Sequence, residues 1–289
     1  MAVAERAAND PADSTLWRID LRCADPDEES WKLIEMGAEA VELLSASEVR
    51  CYLTGAIQLA ESFQQSAESD GFTVLSCESV ERKSYLEGCP ELYAAVNIGR
   101  FKVLPVRTPD EVAPSESASL DIFIIPGEGW GTGHHPSTHE VLKILQEHQL
   151  QPRQVLDFGT GSGILAIACA KLFGAHVFAV DIRAEALANA SQNVAINNVD
   201  SLVELSTVES AGLPKKVDLI VANVYAEVLI DVEPLFYASL EPGGTLITAG
   251  VLTTLSERLL SVYSERWRIA DRRKQGEWEE FVFLPIFSG

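Results

Sequence analysis

Bases are scarce in this chain: 22 Lys and Arg stand against 43 Asp and Glu, a formal net charge of -21 at pH 7. That imbalance repels phosphate backbones and anionic lipid surfaces, so nucleic acid and membrane are disfavoured as partners and a basic macromolecule is favoured. Paired cysteines are missing as well. Cys23, Cys51, Cys77, Cys89 and Cys169 include no C-x-x-C pair and no metal-ligand spacing, and an odd set fits reduced thiols better than a disulfide framework. Long hydrophobic runs are absent: the longest, residues 164–170, has seven members, far short of the ~20 that a membrane-crossing helix needs. Residues 1–15 contain acids and no apolar stretch, so they read as neither a secretory signal nor an Arg-rich transit peptide, and the expected location is the cytoplasm. What is abundant is ordinary core material, with 47% hydrophobic residues, enough for a soluble globular protein.

A chain of 289 residues is long for one domain and comfortable for two. Residues 1–15 lack periodicity and are expected to be a disordered tail. Residues 16–80 alternate strand and helix signals in the order β-α-β-β-α-β: a strand through Ile19 and Leu21, a helix opened by Asp25-Pro26, strands near 40–44 and 49–53, a helix bearing Ile57, Leu59, Ala60 and Phe63, and a strand from Phe72. This is the pattern of a ferredoxin-like α+β module. Over residues 1–70 it has fifteen acids against five bases, either a solvated surface or a docking face for something basic. Residues 81–118, interrupted by Gly88, Pro90, Gly99, Pro105, Pro109 and Pro114, read as a linker with a short strand at 101–104. Beyond Leu120 strands and helices alternate as in a parallel sheet covered on both faces, so 119–289 is the second domain.

The most informative segment is a strand, 154–158, that runs into Gly159-Thr160-Gly161-Ser162-Gly163 and straight on into an apolar helix. Glycines at steps of two allow a tight turn and close approach of a ligand to bare backbone. Dinucleotide enzymes use a related loop, but Ile164 stands where their last glycine belongs. Asp157, just before the loop, would repel a pyrophosphate and suits a ligand with an ammonium group. S-adenosylmethionine has an ammonium group and no phosphate. Asp181, ending the next strand eighteen residues after Gly163, is the expected acceptor for ribose hydroxyls, or else caps the helix that follows; Ile182 is placed to cover an adenine. Asn223, ending the strand 217–222, either orients an incoming amine or caps the helix after Tyr225.

Upstream, residues 126–139 form a glycine-dense loop whose ordering cost suggests closure over a ligand, with Trp130 for stacking and Thr138 for hydrogen bonding. His134, His135 and His139 invite a metal reading, but Pro136 starts a helix after His135 and no carboxylate pair accompanies them, so no metal is expected.

With these residues placed, the chain resembles the PrmA-type methyltransferases, which methylate amino groups of protein eleven of the large ribosomal subunit. The loop P-G-x-x-W/F-G-T-G-x-H-P-S/T-T at 126–138, the run D-x-G-x-G-S-G-I-L-A-I-A from Asp157 and V-A-N-V at 221–224 support the likeness, which extends over most of the chain. It implies the α/β class I S-adenosylmethionine-dependent methyltransferase fold, a doubly wound, mostly parallel sheet, behind a small N-terminal recognition domain. It also implies cofactor contacts at Thr138, Gly159, Asp181 and Asn223, with Asp157, Gly161 and Trp130 beside them. A basic ribosomal protein is the implied partner, and a lysine or N-terminal amine the implied acceptor. Methylation of another protein lysine or of a small-molecule amine is the alternative. The family usually has Phe where Trp130 stands, a hydrophobic pair where Val224 and Tyr225 stand, and a tryptophan-rich segment not visible around 84–96. The expected chemistry is direct transfer, with Asn223 orienting the acceptor and no general base evident.

Overall fold

The computed structural model describes residues 15–38, 40–80, 93–112, 120–127, 131–207, 214 and 216–286. The expected tail, Thr15 aside, lies outside the described residues, as do 81–92 and 113–119 of the expected linker and Trp130 of the upstream loop. The chain divides into two compact units, residues 1–89 and 90–289.

The first unit runs β1 (Leu16–Arg22), α1 (Pro26–Glu35), β2 (Ala40–Ser45), β3 (Glu48–Thr54), α2 (Ile57–Ser69) and β4 (Thr73–Val80). Its strands form one antiparallel sheet in the order β2-β3-β1-β4. Alternation along the strands sends Ile19, Leu21, Val49, Cys51 and Leu53 to one face. There they meet Ala60, Phe63 and Ala67, spaced three and four apart on α2, and Leu33 of α1. The intervening strand residues form ion pairs across the ladders: Arg18 with Glu78 at 2.7 Å, Arg50 with Asp20 at 2.7 Å and Arg22 with Glu48 at 2.9 Å.

The second unit begins earlier than the sequence suggests. Val96–Ile98 (β5) and Phe101–Pro105 (β6) pair antiparallel, and β6 pairs parallel with Asp121–Ile124 (β7). Residues 96–105 are therefore part of the second unit and not linker. Ile98, Phe101 and Val103 are buried in the same core as Val141, Leu145 and Val155, and burial of such side chains outweighs the punctuation by Gly99 and Pro105.

The main sheet has seven strands in the order β10-β9-β8-β11-β12-β14-β13. These are β8 (Gln154–Phe158), β9 (His176–Asp181), β10 (Val203–Thr207), β11 (Val217–Asn223), β12 (Leu240–Leu252), β13 (Trp267–Gln275) and β14 (Trp278–Pro285). The first five are parallel, and β14 runs antiparallel to both its neighbours. One face is covered by α3 (Pro136–Glu147), α4 (Ile164–Phe173) and α5 (Ala184–Ile196), the other by α6 (Ala226–Ser239) and α7 (Ser256–Tyr263). From β8 the chain steps one way to β9 and β10, then returns to place β11 on the other side. The carboxyl ends of β8 and β11 therefore border a crevice, where open α/β sheets hold ligands. Among the described residues no helix is long and apolar enough to cross a membrane.

Candidate functional site

The crevice is built by the loop from β8 to α4. The Gly159 and Thr160 N–H groups both donate to the Val180 carbonyl at 2.9 Å, binding the loop to the end of β9. Gly159 has φ +73°, and a Cβ there would lie 2.3 Å from Cγ1 of Val224, so the glycine also lets the segment after β11 come close. Asp157 is buried; its Oδ2 accepts from the Thr160 hydroxyl at 2.6 Å and from the Ala166 N–H at 3.0 Å. It thus staples the loop to the first turn of α4, while Oδ1 is buried without a partner. Burial raises its pKa to about 7. A cationic group would satisfy that orphaned oxygen and restore the charged form.

Asp181 does not cap α5, whose N-cap is Arg183; its carboxylate binds the loop backbone instead. Oδ2 accepts from the Gly161 N–H and Oδ1 from the Arg183 N–H, each at 3.0 Å, so it organises the glycine loop and the entry to α5 together. Each carboxylate oxygen retains a further lone pair for a hydroxyl. Ile182 beside it is 79% exposed, an apolar side chain displayed at the strand end.

Asn223 does not cap α6. The N-cap is Tyr225, whose carbonyl accepts from the Leu229 N–H at 3.1 Å. The Asn223 amide instead donates to Oγ1 of Thr138 at 3.3 Å, joining residues 85 apart in sequence. Thr138 is buried in the first turn of α3. That turn starts as the sequence requires, with Pro136 at its head and the His135 ring accepting from the Ser137 N–H. Of the other loop histidines, His134 bonds Thr132 and the Ala94 carbonyl, whereas Nε2 of His139 is buried without a hydrogen-bond partner. Ser162 donates to the Gly131 carbonyl at 2.6 Å, tying the upstream loop to the glycine loop.

Sequence reasoning passed over Asn189, Asn193 and Asn197. Their spacing of four places Asn189 and Asn193 on one stripe of α5 and Asn197 at its C-cap, and this was the available signal. Asn197 brackets Phe123, accepting from its N–H at 3.0 Å and donating to its carbonyl at 2.6 Å. Asn193 accepts from the Ile125 N–H at 2.8 Å and donates to the Ser162 carbonyl at 2.9 Å, and Asn189 donates to the Ile125 carbonyl at 3.0 Å. The ladder fixes the backbone on which the upstream loop begins and, through Ser162, the glycine loop. Asn193→Ala strands a buried acceptor and a partly buried donor, so it should lower stability by about 2 kcal/mol, read by chemical denaturation; a change within about 0.5 kcal/mol would show that the ladder is dispensable.

Asp181 leaves acceptor capacity for hydroxyls and Asp157 an orphaned oxygen for a cation, a lining that suits S-adenosylmethionine better than a pyrophosphate. With the 3-2-1-4-5-7-6 order of its main sheet, the fold and site together define a class I S-adenosylmethionine-dependent methyltransferase. Comparison with known proteins gives the narrower relation. The family model for ribosomal protein L11 methyltransferase (PrmA) matches residues 4–284. A ribosomal protein L11 methyltransferase of Geotalea uraniireducens is 32% identical over 214 residues, 69% of this chain and 67% of that protein. One from Heliobacterium modesticaldum is 36% identical over 187 residues, 64% of this chain and 58% of that protein. Among solved structures, a ribosomal protein L11 methylase of Lactobacillus delbrueckii subsp. bulgaricus superposes with TM-score 0.60 at 29% identity, covering 67% of this chain and 99% of the other. The chain belongs to the ribosomal protein L11 methyltransferase family.

Proposed function

We propose that this protein transfers methyl groups to amines of ribosomal protein L11, at lysine side chains, the N-terminus or both, in the cytoplasm. The observation that carries this reading is the Asn223–Thr138 contact, which joins the upstream loop typical of the family to the strand end beside the glycine loop. Thr138, Gly159, Gly161, Asp157, Asp181 and Asn223 are assigned to cofactor binding, with Trp130 as a stacking side chain. S-adenosylmethionine supplies a methyl group on a sulfonium, electrophilic enough to need no covalent enzyme intermediate. Asp181 holds the ribose and Asp157 the ammonium end. Because the Asn223 amide N–H is engaged by Thr138, its Oδ1 remains as acceptor for an amine N–H, which aims the nitrogen lone pair. The acidic N-terminal unit supplies attraction for a cationic partner.

The test is to incubate purified L11 and S-adenosylmethionine with the protein and follow intact mass. Added multiples of a methyl mass support the proposal; an unchanged mass together with methylation of another lysine-bearing protein or a small amine replaces the substrate and leaves the chemistry. Tyr225, which breaks the hydrophobic pair usual in the family, and the altered segment around 84–96 are the features that favour this second reading. Asn223→Ala should lower the rate of transfer about 10–100-fold at saturating cofactor, since misdirection of the acceptor costs turnover. Unchanged turnover would remove its orienting role.

A further inference from the structure

Glu280 of β14 stands directly opposite Arg273 of β13, so the two side chains leave the sheet on the same face. Arg273 reaches Glu140 at 3.6 Å and Glu147 at 2.8 Å, which identifies that face as the one under α3. Trp278, two residues before Glu280 and on the same face, meets the His135 ring edge-on at 4.8 Å, just where α3 begins. Glu280 is thus enclosed beneath the helix that bears Thr138. Its exposure is 0%, and neither carboxyl oxygen has a hydrogen-bond partner.

Arg273 and Lys143 offset a negative charge there only in part, because each is already engaged by other carboxylates. From α3 it faces Glu140, Lys143 and Glu147; from β13, Arg273 and Asp271; on its own strand Glu279 adjoins it. The Lys143 ammonium is held by Glu140, Arg273 is taken up by Glu147 and Asp271, and Glu279 is bound to Arg272. An ionised, unpaired carboxylate in such a place is costly. Burial first, then the charges of Glu140 and Glu279, push its pKa up to about 8.

We infer that Glu280 is a positioning residue: as the neutral acid it lets α3 sit on the sheet and hold Thr138 against Asn223, and on ionisation it works against that seat. The inference rests on the assignment of Thr138 and Asn223 to the cofactor site. Because the seated form keeps the proton to a higher pH than the unfolded chain does, the stabilising contribution is full below the pKa of a free glutamic acid and is lost as pH rises toward and through about 8. Cofactor affinity falls on the alkaline side for the same reason.

The experiment compares the full-length protein with Glu280→Gln and Glu280→Leu by calorimetric titration of S-adenosylhomocysteine and by thermal unfolding, from about pH 6.5 to about pH 9. Ionisations of the ligand and of Asp157 are common to all three proteins and cancel in the ratio of Kd values. The ratio of wild-type to variant Kd should rise from near one to about tenfold across that range. The variants should also lose part of the alkaline decline in melting temperature. A flat ratio overturns the inference, and so does failure of both neutral variants to fold, since a neutral side chain is what the seat accepts. Absence of binding to the wild type at every pH would overturn the cofactor assignment and this inference with it, an outcome distinct from a flat ratio.

Discussion

Asp181→Ala should weaken S-adenosylhomocysteine binding roughly 100-fold, measured by calorimetry, while leaving the fold cooperative. Two effects combine. The carboxylate is the proposed acceptor for ribose hydroxyls, and it also holds the Gly161 N–H and the Arg183 N–H. Charge-assisted hydrogen bonds contribute about 1.5–3 kcal/mol each, and loss of about 3 kcal/mol of ligand contact is near two decades in Kd. Asp181→Asn separates the parts. It retains an acceptor for one backbone N–H but loses the charge, and should sit between alanine and wild type. Alanine binding within about threefold of wild type would remove Asp181 from the cofactor site.

Gly159→Ala should be the most disruptive small change in the glycine loop. The position has φ +73°, and the added Cβ would meet Val224 Cγ1 at 2.3 Å. A left-handed backbone imposed on alanine costs about 1–3 kcal/mol, and overpacking adds a comparable amount. The expected result is a fall of about 10 °C in the melting temperature of this unit together with loss of cofactor binding. Val224→Ala removes the atom in the way. The double variant Gly159→Ala with Val224→Ala should therefore recover the overpacking share but not the backbone share. Equal destabilisation of single and double variants would show that the Val224 contact contributes nothing.

Much of the architecture was legible because local signals agreed with the tertiary result. The βαββαβ order could be read from period-two strands and a helix bearing Ile57, Leu59, Ala60 and Phe63, of which Ala60 and Phe63 face the core while Ile57 is exposed. The strand–glycine–helix segment was legible for a similar reason, since Gly159, Gly161 and Gly163 all adopt positive φ, a demand that few other residues meet. Strands β5 and β6 were not legible as part of the second unit. Gly99, which turns one into the other with φ +60°, looked like the punctuation of a linker, and only burial beside α3 and α4 distinguishes a hairpin from a connector. The asparagine ladder was hidden because single asparagines in a helix ordinarily mark a solvated face. Asn223 shows the limit from the other side: its place at a strand end was evident, but its partner Thr138 lies 85 residues away, and no local pattern reports that distance. Glu280 gave no signal at all, since a charged residue in a terminal strand is normally at the surface.

The ion-paired ladders of the N-terminal sheet bear on how quickly a partner is captured. Arg18, Arg22 and Arg50 each lie against a carboxylate of a neighbouring strand, so their positive charge is largely cancelled at a distance and the surplus acids of the unit set its far field. For a cationic protein, encounter is then hastened by long-range attraction, whereas residence is governed by short contacts. Raising ionic strength would slow arrival steeply and alter departure little.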